Sequence, residues 1–202
     1  MVITRNDIRL ALMYEPIEDV SGDHWHPVVT LTSGIRALKK GGSPTHFGNA
    51  LCPVVESAAY EVAEAMGLGW LVPVTVQRDG CSLQEWVDDA YTAGEHGGTE
   101  SIKFLDHVLG NSDRHGGNWL RSTTNNRKVW AIDHGCSFNK RSLEHYGNPR
   151  DCEARPNKVH AKRLDGLLRA EWGIRKAMNG LPQGVIDLFF SHATQMYVKV
   201  QV

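Results

Sequence analysis

None of the four cysteines, Cys52, Cys81, Cys136 and Cys152, belongs to a C-x-x-C pair. That sets aside a zinc ribbon and a dense disulfide framework, and reduced, mostly structural thiols are expected. Net charge is also nearly absent, because 22 Lys and Arg stand against 23 Asp and Glu. A global basic field that gathers nucleic acid regardless of sequence is thereby excluded, and any polyanion site has to be local. No stretch approaches the roughly 18 apolar residues that a membrane span needs. The opening Met1-Val2-Ile3-Thr4-Arg5-Asn6-Asp7 lacks the unbroken apolar run of a signal peptide, so a cytoplasmic protein with no membrane span is expected. No internal repeat is visible. What is present, 41% hydrophobic and 22% charged residues over 202 positions, is an ordinary globular composition, long enough for one domain or two small lobes sharing a cleft.

Val28 to Thr32 and Ile35 to Lys39 are short β-branched and apolar runs separated by Ser33-Gly34, which predicts a hairpin. Gly41-Gly42-Ser43-Pro44 then breaks the strand. From Val55, the residues Val55, Ala58, Ala59, Val62 and Met66 recur at helical spacing with Glu56, Glu61 and Glu64 between them, and Gly67 and Gly69 end the run. Leu71 to Gln77 reads as a strand, closed by the turn Arg78-Asp79-Gly80, with Ser82 to Val87 as its partner. A glycine-rich connection, Gly94 to Thr99, precedes a helix whose apolar face is Ile102, Leu105, Val108 and Leu109 and which stops at Gly110. Short strands at Trp119-Leu120 and Val129 to Ile132 flank a polar turn, and residues from about 159 to 200 read as helical. The expected architecture is α+β and two-lobed, with residues 1–90 a small β-rich lobe and 91–202 a mainly helical one.

The informative segment is Leu109-Gly110-Asn111-Ser112-Asp113-Arg114-His115-Gly116-Gly117-Asn118-Trp119-Leu120, followed a hairpin later by Ala131-Ile132-Asp133-His134-Gly135. Phosphoryl transfer from ATP needs a carboxylate beside the acceptor hydroxyl, oxygen ligands for magnesium and a cation on the phosphates. Asp113, at the mouth of a loop leaving a helix, is placed to orient or deprotonate the acceptor. Asn118, five residues on, offers an amide oxygen to metal. Asp133 follows an apolar strand and projects toward the metal, with Gly135 expected to permit a sharp turn.

This segment, together with Ile132-Asp133-His134-Gly135-Cys136-Ser137-Phe138, resembles the phosphatidylinositol 3- and 4-kinase-related superfamily. That group uses G-D-R-H-x-x-N followed by I-D-F/H-G-x-x-F. Asn111, Asp113, His115 and Asn118 also match the N-x-D-x-H-x-x-N loop of HipA-type kinases. Upstream, Glu56-Ser57-Ala58-Ala59-Tyr60 is similar to an E-x-A-A-Y helix of actinobacterial relatives, and Trp70 to Gln77 to their V-P-x-T strand. The resemblance implies that Glu56 pairs with a phosphate-holding strand lysine, Lys39 or Lys40, with Lys39 preferred on the likeness of Leu38-Lys39-Lys40-Gly41 to F-K-x-G. It further implies a nucleotide hinge at Gln84, Glu85, Trp86 and Val87, ATP and Mg2+ as cofactors, and catalytic roles for Asp113, His115, Asn118 and Asp133, with Asn118 and Asp133 on the metal. Whether Asp113 or His115 takes the proton stays open. There are departures: G-x-G-x-x-G is missing, so Thr32-Ser33-Gly34 is left to cover the phosphates, and His134 replaces the phenylalanine of D-F-G.

The implied activity is phosphotransfer to an alcohol, with a Ser or Thr of a protein substrate preferred over lipid because no membrane-binding segment is evident. Set against it are a catalytically weak pseudokinase or regulatory partner protein that only binds nucleotide, and, as a lesser alternative, a lipid or small-molecule kinase or transfer of AMP. A metal-hydrolase reading would gather His107, Asp113, His115, Asp133 and His134, but no H-E-x-x-H or clean ligand spacing supports it. The tryptophans lack the interleaved basic residues of a nucleic-acid ladder. A basic cluster at Lys140, Arg141, Arg150, Arg155, Lys158, Lys162 and Arg163 falls where a substrate loop would lie, or is simply a solvated surface.

Overall fold

The structure is a computed structural model that describes residues 2–22, 27–41, 52–94, 99–125, 127–145 and 158–201. Of the features read above, Trp25, Gly42 to Pro44, residues 95–98, Arg150, Cys152 and Arg155 lie outside the described residues. The chain runs α1 (Arg5–Tyr14), β1 (Ile17–Ser21), β2 (Val28–Leu31), β3 (Arg36–Gly41), α2 (Cys52–Ala65), β4 (Thr75–Arg78), β5 (Cys81–Glu85), β6 (Ala90–Thr92) and α3 (Glu100–Leu109). It continues through β7 (Trp119–Ser122), β8 (Val129–Ala131), α4 (Lys140–His145), α5 (Lys158–Arg169), α6 (Glu171–Ala177) and α7 (Gln183–Gln201). The result is the α+β class anticipated from the sequence: a five-stranded antiparallel sheet in the order β1-β2-β3-β5-β4, and a three-stranded one in the order β6-β7-β8.

Local chemistry explains the elements that were legible. Gly34 sits at φ +82 and closes the β2–β3 turn, with its N–H donated to the Leu31 carbonyl at 2.8 Å. Asp79 and Gly80 are both left-handed (φ 52 and 74), as a two-residue Asp-Gly hairpin turn requires. Thr99 caps α3 by accepting from the Ile102 N–H, and Gly110 ends it at φ 60. The strand expected from Leu71 starts only at Thr75. Gly69–Leu71 is a 3-10 turn, and Pro73 has no N–H to give to a ladder.

Four elements were not anticipated: α1, β1, β6 and α4. In α1 only Ala11 and Leu12 are buried, so its periodicity is thin. Its one clear signal is the capping box, Thr4 Oγ1 accepting from Asp7 N at 3.2 Å while Asp7 Oδ2 accepts from Thr4 N at 2.9 Å. β1 is exposed at all five positions and therefore carries no alternation to read.

The core is continuous through both sheets' surroundings. Helix α2 is apolar nearly all round because β3, β4 and β5 pack on one side of it and α5 and α6 on another. α5 comes so close that a Cβ on Gly166 would lie 2.6 Å from the Ala65 carbonyl oxygen. α7 packs against α3, α4 and α5, and Phe189 meets Phe138 edge-on with ring centroids 5.1 Å apart. Among the described residues no helix is long and apolar enough to cross a membrane.

Candidate functional site

Three charged side chains from distant parts of the sequence converge. Lys40, in β3, donates from Nζ to Glu56 Oε1 of α2 at 2.6 Å and to Asp133 Oδ1, beyond β8, at 3.2 Å. Lys40 and Glu56 are 6% and 1% exposed, whereas the Asp133 side chain remains half exposed. Burial alone would depress the lysine's pKa, but the charges of Glu56 and Asp133 more than offset it and push it up. Burial likewise works to raise the Asp133 carboxyl, and the Lys40 charge and hydrogen bond overcome it and hold it below its usual range. Lys40 and Asp133 are therefore charged at neutral pH.

The lysine that meets Glu56 is Lys40, which corrects the preference for Lys39. Neighbouring strand residues face opposite sides, and the β3–β5 register sets Lys40 opposite Ser82 and Lys39 opposite Leu83. A second correction concerns the turn at Asp133. The strained backbone there belongs to Asp133 itself, at φ +56, and to Phe138, at φ +57. Gly135 lies outside the left-handed region, and what a side chain there would meet is a crowded neighbour: a Cβ on it would lie 3.0 Å from Cys52 Sγ.

Asp113, His115 and Asn118 lie on the loop after α3. Asn118 is buried and gives its amide N–H to the Asp113 carbonyl at 2.8 Å, which leaves Oδ1 as the acceptor of that side chain. Its backbone carbonyl accepts from the Ile132 N–H at 3.1 Å, so it sits beside the residue that precedes Asp133. Asp113 and His115 are exposed, and His115 Nδ1 accepts from the Gly117 N–H at 3.1 Å. Asn111 Oδ1 accepts from the Asp113 N–H at 3.1 Å and so shapes the entry to the loop.

Two residues essential to this arrangement were not singled out from the sequence. Arg114 donates from Nε and Nη2 to both oxygens of Asp106 at 2.8 and 2.9 Å, and from Nη1 to the carbonyls of Asn118 and, at 2.6 Å, Ile132. Nη2 also meets His134 Nδ1 at 3.2 Å. Arginine cannot accept, so His134 is neutral with its proton on Nε2. Burial first, then the Arg114 and Lys40 charges, push its pKa well down. His134 thus fills the place of the missing phenylalanine as a completely buried acceptor. Asp106 looks, in sequence, like one polar position in an apolar helix; only the fold brings it to Arg114.

The residues expected to form a nucleotide hinge are engaged at the sheet. Gln84 Nε2 donates to Thr75 Oγ1 at 3.1 Å, Glu85 Oε2 accepts from the Val74 N–H at 3.0 Å, and the Trp86 N–H bonds the Arg36 carbonyl at 2.9 Å. Arg36 lies over the Trp86 ring, and Val87 is half-buried. The hydrolase reading loses its ligands, because His134 is held by Arg114 and His107 packs against His192 in the interior. Among the described residues no three His, Cys, Asp or Glu are grouped to hold a metal. Lys140, Arg141, Lys158, Lys162 and Arg163 fall on α4 and α5.

With the geometry in place, comparison adds three findings. Residues 97–164 match the family model for phosphatidylinositol 3- and 4-kinase, about a third of the chain and the part that carries Asp106 to Asp133. No curated protein sequence matches. Among solved structures, the Golgi casein kinase aligns over 98% of this chain and 74% of its own at 13% identity and a TM-score of 0.56. The same kinase with Mn/ADP bound aligns over 97% and 75% at 12% identity and a TM-score of 0.53. The Helicobacter pylori proinflammatory kinase CtkA aligns over 95% of both chains at 13% identity and a TM-score of 0.50. At such identities the likeness establishes the fold.

Proposed function

The chain has a kinase-like fold and resembles the phosphatidylinositol 3-/4-kinase-related atypical kinases over its catalytic loop, and from that premise we propose that it is an ATP-dependent phosphotransferase acting on a Ser or Thr hydroxyl of a protein. We take residues 1–90 and 91–202 as its two lobes, with the nucleotide between them. The observation that carries the reading is the Lys40 ammonium bridging Glu56 and Asp133. It is a fixed cation for phosphate next to a half-exposed carboxylate for metal.

The donor set fits magnesium. An aspartate oxygen and an amide oxygen are hard ligands, and Mg2+ is ordinarily held by one or two carboxylates with the rest of its shell from phosphate and water. Bound between Asp133, Asn118 and ATP, the ion would supply charge neutralisation of the transferring group. Lys40 holds the α- and β-phosphates, and Glu56 keeps Lys40 extended. Adenine takes backbone groups at the Val87 end of the Gln84 to Val87 segment, because the Glu85 and Trp86 N–H groups and the Gln84 and Glu85 side chains are already bonded.

Asp113 receives the proton of the acceptor hydroxyl. His115 is the weaker candidate because its Nδ1 accepts from the Gly117 N–H, which puts the proton of the neutral ring on Nε2. That nitrogen can donate to substrate or phosphate but has no lone pair to take a proton.

The test is label transfer from γ-labelled ATP to a Ser/Thr-containing protein or peptide, run beside thermal-shift titration with ATP and magnesium. The wild type should be stabilised by nucleotide and should transfer label. Asp133→Asn, which tolerates the left-handed backbone, should lose transfer. Stabilisation without any transfer would favour a nucleotide-binding regulatory partner, and label from α- but not γ-labelled ATP would move the reaction to AMP transfer.

A further inference from the structure

Cys52 opens α2 one turn ahead of Glu56, and Cys136 follows Asp133 by three residues. Between them stands Gly135. A Cβ built there would lie 3.0 Å from Cys52 Sγ and 3.7 Å from each of Asp133 Oδ1 and Glu56 Oε1. The sulfur therefore presses on the same short stretch of backbone as the two carboxylates. The next residue along carries the second thiol, its Cα about 3.8 Å from that of Gly135. Cys136 is exposed and Cys52 half-buried, so a small oxidant reaches both. Cys81 is different: it is buried opposite Gly41 in the β3–β5 pairing, and its thiol donates to the Arg78 carbonyl at 2.9 Å.

We propose that Cys52 and Cys136 form an oxidisable pair at the mouth of the cleft, and that hydrogen peroxide joins them in a disulfide that closes the site. The consequence for transfer rests on the phosphotransferase reading above. In the reaction the two thiols give up two protons and two electrons, the S–S bond forms, the O–O bond of the peroxide breaks, and two waters leave. The bond ties the helix of Glu56 to the loop of Asp133 and sets two sulfur atoms in front of their carboxylates. Burial, and after it the Glu56 charge, holds the Cys52 thiol up at about 11, and burial followed by Asp113 and Asp133 raises that of Cys136. Both rest as protonated thiols near neutral pH, so the reduced, open form persists until oxidant accumulates.

The experiment treats the reduced, full-length protein with hydrogen peroxide, maps its disulfides by mass spectrometry of a non-reduced digest, and assays label transfer from ATP on the same samples. The map should join the Cys52 peptide to the Cys136 peptide ahead of any pairing with Cys81 or Cys152. Transfer should fall at least tenfold and return on adding dithiothreitol. Cys136→Ser should keep its transfer when reduced and resist the peroxide-induced loss. A map pairing Cys52 elsewhere, thiols that remain unpaired, or a bridged protein that still transfers label would overturn the proposal. Should the reduced wild type transfer nothing, the phosphotransferase reading fails by itself while the map still decides the pair.

Discussion

Two ionic clusters lie within one short stretch of the molecule, and they are built on opposite plans. Around Arg114 every donor of the guanidinium is spent. Its five N–H donors meet the two oxygens of Asp106, the carbonyls of Asn118 and Ile132, and the ring nitrogen of His134, with the side chain 10% exposed. Around Lys40 capacity is left over. Its two partners share one ammonium, Glu56 Oε2 is buried without a hydrogen-bond partner among the described residues, and the Asp133 side chain is 51% exposed. A saturated cluster fixes geometry and an unsaturated one awaits a ligand. On the proposed function the first therefore belongs to stability and the second to chemistry, and substitutions should separate the two.

The largest effect should come from Asp133→Asn. Removing the charge proposed to face the metal while keeping shape and backbone is expected to lower the rate of label transfer by about 1,000-fold, roughly 4 kcal/mol of barrier. Because the side chain is half exposed, the melting temperature should move little. A large fall in melting temperature would place Asp133 in the structural cluster instead. Arg114→Met should do the reverse, stranding the buried Asp106 carboxylate at a cost of about 3–5 kcal/mol of stability. At this chain length that is on the order of 10 °C in calorimetry. Adding Asp106→Asn to the same chain should recover part of the loss, since it removes the uncompensated charge; purely additive losses would deny the coupling.

Gly166→Ala tests whether the helix of Glu56 is braced from behind. In an open helix that change stabilises by up to about 1 kcal/mol. Here the new methyl meets a backbone carbonyl at 2.6 Å, so a loss of about 1–3 kcal/mol is expected as α5 is pushed from α2. Stabilisation would mean that the two helices are not held together in solution.

Acid divides the clusters by window. His134 and His192 both have depressed pKa values, each chiefly through burial. They take up protons on unfolding, so their contribution is whole above about 6.5 and drains as pH falls below it. Asp133 is depressed too, and as a carboxylate its contribution is lost only below its much lower ordinary range. Urea midpoints measured from pH 7 to 4.5 should fall, and His134→Gln should flatten the slope. A flat wild-type curve over that range would mean that His134 is protonated in the fold.

How much of this could be read beforehand follows from how local each signal is. Both hairpins with their Gly34 and Gly80 turns, the α2 and α3 periodicities and the Asp113-to-Asn118 spacing are all written within a dozen residues. The α1 helix and the β1 strand bury too little to imprint a pattern. Asp106 could not be assigned because its partner is chosen by the fold, and Arg114 looked like one letter of a motif until its five contacts appeared. Gly135 was read as a turn residue, but the pressure on it comes from Cys52, eighty-three positions earlier in the chain.

The smallest effect should belong to Lys39, and it tests the register on which the unsaturated cluster depends. A strand shifted by one residue exchanges its two faces completely. In the present pairing Lys39 shares the face of Gly41 and Cys81, near enough for its charge to pull the Cys81 thiol down against burial, and its backbone N–H is held by the Pro27 carbonyl. Lys39→Ala should therefore alter stability by less than about 0.5 kcal/mol, the range of surface substitutions, and leave label transfer within about twofold, under 0.5 kcal/mol of barrier. Lys40→Ala, one position on, should abolish transfer and leave Glu56 buried with no cation. If the two variants exchanged phenotypes, β3 would be paired one residue out of step, and every contact drawn from Lys40 would pass to its neighbour.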